Sequence, residues 1–532
     1  MRYLILLTAL LVMNRAPEVN STHKEKEPGK PNIILIMADD MGFSDIGCYG
    51  GEIKTPHIDN LAKEGIRFNR FYNNAWCSPS RASLITGLYP QQVGLTALAG
   101  PDPGPPGPYQ GYLNDHCVTL AEVLKGAGYY TAMAGKWHLG ERQPHWPLDR
   151  GFDNYFGLIS GAANYFDITK TKSPGITRYM ALDDKPFHPP AKGFYMTDAI
   201  TSYALQILDK QKTQSQPFFL YVAYTAPHWP LQAMPEDIAR YAKEYDMGWD
   251  SIRARRYDRL IQMGIINNKT TLSPRDTGVK PWATLPAKTR KEMAEKMAVY
   301  AAQVDRMDQG IGQILDKLKQ TGKDENTMVI FLSDNGGCAE GGPAGFDKRH
   351  NGLPPGGADS YFSYGQSWAN ASNTPFRYFK KWLGEGGIST PLIVRWPAMI
   401  AKQRHGQVLE QVGHITDIMP TLCALSGARY PAYYKDKKIL PPEGQSLLPA
   451  IEKGTVQPRK PVFWFLDGHK AILAGNYKLE AADNGAPWEL YNLEDRSESD
   501  NLSVTAAHKV KELSTQWENW AKRVGVSVEQ SK

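Results

Sequence analysis

Short runs of almost uninterrupted apolar residues recur along the chain, and stretches with helical periodicity lie between them. The apolar runs are residues 33–37, 129–134, 217–223, 328–332 and 391–396. The helical stretches are residues 119–127, 197–210, 288–318 and 416–425. Continuous apolar runs are typical of strands covered on both faces, as in a parallel sheet. The alternation predicts an α/β fold with a doubly wound sheet, in which ligands bind beyond the C-terminal ends of the strands.

The pattern changes near the C-terminus. Residues 431–444, rich in tyrosine, lysine and proline, indicate a linker. Beyond it the sequence predicts short strands with turns between them and a final amphipathic helix. These elements are residues 462–466, 470–473, 477–479, 488–491 and about 506–524. We therefore expect a large α/β domain over residues 31–440 and a smaller α+β domain over residues 441–532.

The N-terminus has the organisation of a secretory signal peptide. Arg2 precedes an apolar segment over residues 3–13, small residues follow around Ala16, and a polar linker occupies residues 21–30. This pattern predicts a signal peptide of about 20 residues and an exported product, periplasmic or secreted. A cytosolic chain with an apolar start, or an uncleaved anchor, is the alternative.

The overall composition excludes several classes of protein. With 42% hydrophobic and 22% charged residues, the 532-residue chain is typical of a globular enzyme. The net charge of +6 is too small and too scattered to predict nucleic-acid binding. The body of the chain lacks the run of about 18 apolar residues that a transmembrane helix needs. Five cysteines do not form a disulfide framework, and Cys48, Cys117, Cys338 and Cys423 fit either a disulfide or free thiols.

Polar side chains directly follow four of the predicted strands. They are Asp39 and Asp40 after the first strand, Lys136 and His138 after the second, His228 after the third, and Asp334 and Asn335 after the fourth. Each group alone also fits a turn, a helix cap or a packing role. Together they predict one site, because equivalent strand ends meet at one edge of a sheet. Lys136 and His138 are two residues apart, so in extended backbone their side chains point to the same face.

Four of these side chains offer only oxygen ligands. Asp39, Asp40, Asp334 and Asn335 supply three carboxylates and one amide oxygen, without cysteine or histidine pairs at zinc spacing. This set predicts a hard divalent cation, Ca²⁺ or Mg²⁺.

A further candidate lies at the start of a predicted helix. Pro79 suits the first turn of a helix, and Arg81 lies one turn beyond Cys77. A helix N-terminus and an adjacent arginine lower the pKa of a cysteine, so Cys77 is a candidate nucleophile. A plain buried thiol is the alternative.

The segment around Cys77 resembles the signature of the type I sulfatases, in which this cysteine is converted to formylglycine (3-oxoalanine). Other segments similar to that family, and to its bacterial arylsulfatase subgroup, occur in family order over roughly residues 31–503. They are residues 111–114, 135–140, 150–153, 227–228, 248–253, 333–336, 373–377, 385–387 and 488–493, beside the signature itself at residues 77–87. The resemblance implies an alkaline-phosphatase-like fold, with a large mixed sheet flanked by helices, and a catalytic domain over residues 31–440.

The resemblance also implies the nucleophile and its cation. A hydrated formylglycine at Cys77 attacks the sulfur of a sulfate ester with one hydroxyl. Asp39, Asp40, Asp334, Asn335 and the modified residue 77 hold one divalent cation. We favour Ca²⁺, with Mg²⁺ as the alternative. A formylglycine-generating enzyme is the implied partner in maturation.

Five further residues receive roles by the same resemblance. Arg81 and Lys136 hold the hydrate, and His228 protonates the departing oxygen. His138 removes a proton from the second hydroxyl, so that sulfate leaves and the aldehyde is regenerated. Lys380 contacts the substrate sulfate, with its neighbour Lys381 as the alternative.

The sequence leaves the substrate open between aryl sulfates and sulfated carbohydrates. Loops over residues 100–111 and 336–373 are expected to decide it, and Trp146 and Trp229 are candidates for stacking on a sugar or an aryl group. The rival functions are a phosphate mono- or diester hydrolase of the same fold, and a non-catalytic carbohydrate-binding relative that lacks the modified cysteine.

Overall fold

A mixed sheet of 11 strands forms the middle of the protein. The computed structural model describes residues 29–483 and 485–526, so the predicted signal peptide lies outside the described residues. The strands are β1 (Asn32–Ala38), β2 (Ile66–Tyr72), β3 (Tyr130–Gly135), β4 (Asn154–Leu158), β5 (Met180–Leu182), β6 (Lys185–Pro186), β7 (Phe218–Ala223), β8 (Thr327–Ser333), β9 (Ser389–Arg395), β10 (Gln407–Leu409) and β11 (Gly413–His414). They follow the order β10-β2-β9-β8-β1-β7-β3-β4-β5-β6, with β11 beside β2.

The four strands that precede the polar clusters are neighbours in this sheet. β1 pairs in parallel with both β7 and β8, and β3 pairs in parallel with β7. Their C-terminal ends therefore meet at one edge, as the sequence predicts. β9 runs antiparallel to β8 and β2, which makes the sheet mixed and confirms the expected fold class.

Helices cover both faces of the sheet. They are α1 (Pro56–Glu64), α2 (Cys77–Thr86), α3 (Leu120–Gly126), α4 (Met196–Gln211), α5 (Pro235–Ala239), α6 (Gly248–Gln262), α7 (Ala287–Gln320), α8 (Gly365–Ser372), α9 (Glu385–Ile388), α10 (Ile418–Ser426) and α11 (Leu448–Lys453). Ile34 and Ile36 of β1 belong to the core that includes α1, α4 and α7, whereas Ile33 and Leu35 belong to the core that includes α2, α3 and α10. Because both faces are covered, the strand needs apolar residues at every position.

The C-terminal unit is a four-stranded antiparallel sheet with one helix on it. Its elements are β14 (Val462–Leu466), β15 (His469–Ala474), β16 (Tyr477–Ala481), β17 (Glu489–Asn492) and α12 (Ala507–Arg523), and the hairpin β12 (Tyr433–Tyr434) and β13 (Lys437–Lys438) precedes it. Trp517 and Trp520 of α12 pack with Ile472 and Leu479 of the sheet. This confirms the predicted small sheet domain. The boundary at residue 440 stays a prediction, and Ile439 and Leu447 on its two sides pack in one core.

Two expectations about the whole chain can be compared with the structure. Among the described residues, no helix has both the length and the apolar character to cross a membrane. All five cysteines are free thiols, so of the two alternatives for Cys48, Cys117, Cys338 and Cys423 the structure has the unpaired one.

Candidate active site

The acidic residues predicted to bind a cation meet at the C-terminal edge of the sheet. Asp39 and Asp40 follow β1, Asp334 and Asn335 follow β8, and all four side chains are buried. Asn335 Nδ2 donates to Asp40 Oδ1 at 2.7 Å, and the backbone N–H of Asp40 donates to Asp334 Oδ1 at 3.1 Å. Burial and the neighbouring Asp39 raise the pKa of Asp334 to about 6, despite the opposing charge of Arg81.

A buried arginine or lysine side chain faces each of the three carboxylates. Arg81 donates from Nη2 and Nε to Asp334 Oδ2 at 2.7 and 3.0 Å. Lys136 Nζ lies 2.7 Å from Asp39 Oδ2, and Lys380 Nζ lies 2.8 Å from Asp40 Oδ2. Buried charges are tolerated only with such partners. The predicted Arg81, Lys136 and Lys380 are therefore brought together with the acidic residues.

Cys77 is the first residue of α2 and points at the carboxylates. Its Sγ lies 3.6 Å from Asp39 Oδ1 and 3.8 Å from Asp40 Oδ1. The expectation of a lowered thiol pKa is wrong: burial raises the pKa of Cys77 well above its usual range, although Lys136 and Lys380 oppose it. Desolvation of a thiolate outweighs the nearby positive charges and the helix N-terminus. The unmodified cysteine is therefore a neutral thiol.

His228 lies beside Asp40 and Lys380. Its Nδ1 donates to the backbone oxygen of Trp229 at 2.6 Å, which leaves Nε2 at 3.3 Å from Asp40 Oδ2 and 3.4 Å from Lys380 Nζ. Burial lowers the pKa of His228 to about 4, despite the charge of Asp40. The imidazole is thus neutral at pH 7 in this arrangement, and its assignment as an acid stays a prediction.

His138 reaches the site in a different way from the one expected. β3 ends at Gly135, and the backbone of His138 is left-handed, with a φ of 55°. The prediction that extended backbone directs both side chains to one face is therefore wrong, although Lys136 and His138 still border the site. Burial, and then the charge of Lys136, keep the pKa of His138 well below its usual range, and its Nδ1 is buried without a hydrogen-bond partner. A neutral imidazole of this kind can accept a proton.

Gly161 leaves the space that the ring of His138 occupies. A Cβ at residue 161 would lie 2.4 Å from Nε2 of His138. We expect Gly161→Ala to displace the ring and lower kcat by about tenfold or more, since small misplacements of reacting groups are costly.

The control for this substitution is Gly126→Ala, because a Cβ at Gly126 meets no atom within 4 Å. Steady-state kinetics on 4-nitrophenyl sulfate compares the two variants. Unchanged kcat in Gly161→Ala would show that the ring of His138 does not need this position.

A cavity of about 360 Å³ opens above Cys77. His138, His228 and Lys380 line its inner part. Lys381 also lines it, but its ammonium lies over the ring of Trp76 while Lys380 is buried against Asp40. The structure thus places Lys380, and not Lys381, next to the acidic residues.

The two stacking candidates differ in their surroundings. Trp229 lines the cavity. Trp146 does not: it is buried in the core that includes α2 and α3 and donates to the backbone oxygen of Glu141. Packing therefore rules out the stacking role predicted for Trp146.

Four further residues line the cavity. Trp76, Lys172, Arg178 and Glu340 lie along its wall. Glu340 lies in the loop over residues 336–373, and the lining residues Gly100 and Pro101 lie in the loop over residues 100–111; both loops were expected to decide specificity. Lys172 and Arg178 lie in a segment for which the sequence made no such prediction. Neither position has periodicity or a motif, so only the folded chain reveals them.

The residues at the sheet edge suit a divalent cation. Ligand atoms of Asp39, Asp40, Cys77 and His228 all lie within 4.8 Å of one another. Asn335 Oδ1 is buried without a hydrogen-bond partner, which is the state expected of an unused metal ligand. The set of carboxylate and amide oxygens fits a hard cation. Asp334 and Asn335 as ligands stay a prediction.

Comparison with known proteins identifies the family. A sequence model described as sulfatase matches residues 31–428. The chain is 37% identical to an arylsulfatase of Klebsiella aerogenes, over 79% of this chain and 91% of that protein. It is 35% identical to an uncharacterized sulfatase of Schizosaccharomyces pombe, over 95% of this chain and 96% of the other.

The fold is similar to that of a solved structure, Ps i-CgsB in complex with k-i-k-neocarrahexaose. The TM-score is 0.68 at 28% sequence identity, and the match covers 92% of this chain and 93% of the other. This likeness confirms the alkaline-phosphatase-like fold that the resemblance implied. The chain therefore belongs to the sulfatase family and is a sulfuric ester hydrolase.

Proposed function

We propose that the enzyme hydrolyses sulfate esters of sugars or aryl alcohols with a formylglycine at position 77. The observation that carries this proposal is the place of Cys77. It begins α2 at the base of the cavity, with its Sγ 3.6 and 3.8 Å from two buried carboxylates. Because burial raises the pKa of Cys77, the unmodified side chain would be a neutral thiol and a poor nucleophile.

Asp39, Asp40, Asp334 and Asn335 would hold a divalent cation, for which we favour Ca²⁺ and keep Mg²⁺ as the alternative. When bound, the cation would withdraw electron density from the sulfate group as a Lewis acid. Lys380 Nζ, between Asp40 and His228, supplies positive charge for the negative oxygens of the ester. Arg81 and Lys136 hold the carboxylates in place and keep this buried edge close to neutral.

The reaction has two steps, after which one water adds to the regenerated aldehyde and restores the hydrate. In the first, a hydroxyl of the hydrate attacks sulfur, its proton passes to a carboxylate such as Asp334, and the bond from sulfur to the alcohol oxygen breaks. His228 would protonate that oxygen from Nε2 only in its doubly protonated form, since Nδ1 donates to Trp229 and the neutral ring has no proton on Nε2; the ring would therefore take up a proton before the bond breaks. In the second, His138 removes the proton of the remaining hydroxyl, the bond between carbon and the sulfate oxygen breaks, and the aldehyde is regenerated. The geometry that supports this is the position of both imidazoles on the cavity wall.

Mass spectrometry of the peptide that contains Cys77 tests the modification. The protein is expressed with and without a formylglycine-generating enzyme and digested. We expect the thiol to be replaced by an aldehyde in the first preparation only, and turnover to rise with the converted fraction. Equal activity in fully unconverted protein would contradict the proposal.

Removal of the cation is expected to abolish turnover. Without it, the acidic residues face only Arg81, Lys136 and Lys380, and the Lewis acid is lost. After chelation, activity on 4-nitrophenyl sulfate should fall at least about 100-fold, and Ca²⁺ or Mg²⁺ should restore it. Restoration by Zn²⁺ alone would contradict the oxygen-ligand assignment.

We further propose that the enzyme is exported, on the basis of the N-terminal pattern, and that its natural substrate is a sulfated carbohydrate. Two relatives bear on the substrate: the arylsulfatase of Klebsiella aerogenes and Ps i-CgsB, whose structure holds an oligosaccharide. Lys172, Arg178 and Lys381 on the cavity wall are partly buried. Their charges favour a carbohydrate substrate, which carries polar groups, over an aryl group.

A further inference from the structure

Two tryptophans adjoin the reacting residues, and each has a lysine ammonium over its ring. Trp76 precedes Cys77, and Lys381 Nζ lies 4.2 Å from its ring centroid. Trp229 follows His228, and Lys172 Nζ lies 5.5 Å from its ring centroid. A ring face that holds an ammonium is not open to an aromatic substrate. The two pairs therefore place positive charge on the wall of the cavity.

Arg178 adds a third cation to the same wall. Within residues 29–483 and 485–526, the side-chain nitrogens of Lys172, Arg178 and Lys381 make no hydrogen bond and no ion pair. All three side chains are only partly exposed. Among the described residues, the ammonium groups of the two lysines contact only aromatic rings, and none of the three cations has a carboxylate at ion-pair distance, which points to an anionic ligand.

The two acidic residues of the wall do not serve as those partners. Glu340 Oε1 lies 3.7 Å from Nζ of Lys380. Glu141 is buried, and its Oε2 accepts a hydrogen bond from the hydroxyl of Ser160 at 3.1 Å. Burial raises the pKa of Glu141, and the charge of Arg178 opposes that rise without forming an ion pair with the carboxylate. The outer part of the cavity thus keeps an excess of positive charge beyond the site of the scissile ester.

Building on the proposed function, we propose that the substrate is a saccharide with a second sulfate group. That sulfate binds at the part of the wall that Lys172, Arg178 and Lys381 line, while the scissile sulfate lies at residue 77. Arginine and lysine recognise such oxyanions through charge-assisted hydrogen bonds. A simple aryl sulfate has no group for these cations, and it would have to displace the lysines to stack on Trp76 or Trp229.

Two sugars with the same 6-O-sulfate, one with a sulfate and the other with an acetyl group on N2, test the proposal. D-glucosamine-2-N,6-O-disulfate and N-acetylglucosamine 6-sulfate are added to assays of the matured enzyme with 4-nitrophenyl sulfate. We expect the disulfate to inhibit at about tenfold lower concentration, the effect of one charge-assisted contact. In the variant Lys172→Ala/Arg178→Ala/Lys381→Ala, the ratio of the inhibitory concentrations of the two sugars should fall to about one.

The matched control is Lys288→Ala, which removes an exposed charge on α7 that makes only a 4.0 Å pair with Glu292. It should keep the ratio of the wild type, and thermal unfolding checks that all variants fold. Equal inhibition by the two sugars in the wild type, including no inhibition by either, would overturn the inference. So would an unchanged ratio in the triple variant.

These outcomes are separate from failure of the proposed function. If the matured wild-type enzyme does not turn over 4-nitrophenyl sulfate and its Cys77 peptide is unmodified, the proposed function fails. If it turns over that ester without any preference between the sugars, only the second sulfate site fails.

Discussion

Replacing Cys77 with serine is expected to abolish turnover while leaving the fold intact. Serine can attack sulfur and form a sulfate ester, but without a second hydroxyl on the same carbon it cannot expel sulfate. A single loss of the reacting group lowers kcat by at least about 10⁴-fold. The side chain is small and its Sγ makes only long contacts to Asp39 and Asp40, so we expect unfolding to change little.

Two further substitutions sharpen this prediction. Cys77→Ala should be equally inactive but should not form the covalent ester, which mass spectrometry of the intact protein distinguishes. Cys423→Ala is the matched control, since Cys423 lies on α10 beside Met419. It should retain kcat within about twofold, as expected for a position remote from the chemistry. A Cys77→Ser variant with near-wild-type kcat would contradict the mechanism.

Arg81→Met is expected to affect both chemistry and stability strongly. Arg81 is fully buried and donates twice to Asp334, and it also donates from Nη1 to the backbone oxygen of Lys136. Removing one partner of a buried ion pair costs about 3 kcal/mol or more. Because Asp334 and the site around it would rearrange, kcat/KM on 4-nitrophenyl sulfate should fall at least about 1000-fold.

Two matched variants separate the two effects of Arg81. Arg150 is also buried and pairs with Glu122 away from the site, so Arg150→Met should lower the free energy of unfolding but not kcat of the folded enzyme. Arg81→Lys keeps the charge and loses the paired donors, and should lie between the wild type and Arg81→Met. Denaturant unfolding and steady-state kinetics measure both quantities. Equal losses of kcat in Arg81→Met and Arg150→Met would show that Arg81 acts only through stability.

The sheet and the position of the site could be predicted because burial on both faces leaves a direct signal. The run that became β1 is apolar at every position, and the polar residues that follow it stand out against it. β2, in which Arg67 and Arg70 are partly buried, has no such continuous run and was not predicted. The antiparallel direction of β9 depends on the path of the chain between β8 and β9, which periodicity does not report.

The details that the sequence could not supply are those that depend on desolvation and on loops. The rise in the pKa of Cys77 results from its complete burial, while the sequence showed only the helix start and Arg81, which act in the opposite direction. The left-handed backbone of His138 likewise has no signal in residue spacing. Lys172 and Arg178 lie in the long connection between β4 and β5, so no local sequence pattern indicates that they line the cavity.

The most direct test of the central claim is hydrolysis of 4-nitrophenyl sulfate compared with 4-nitrophenyl phosphate by protein matured with a formylglycine-generating enzyme. We predict that kcat/KM for the sulfate ester exceeds that for the phosphate ester by at least about 100-fold, because the sulfate monoester carries one negative charge and the phosphate monoester about two near neutral pH. A preference for the phosphate ester by fully converted enzyme would contradict the assignment of sulfate esters as the substrates and would favour a phosphoesterase.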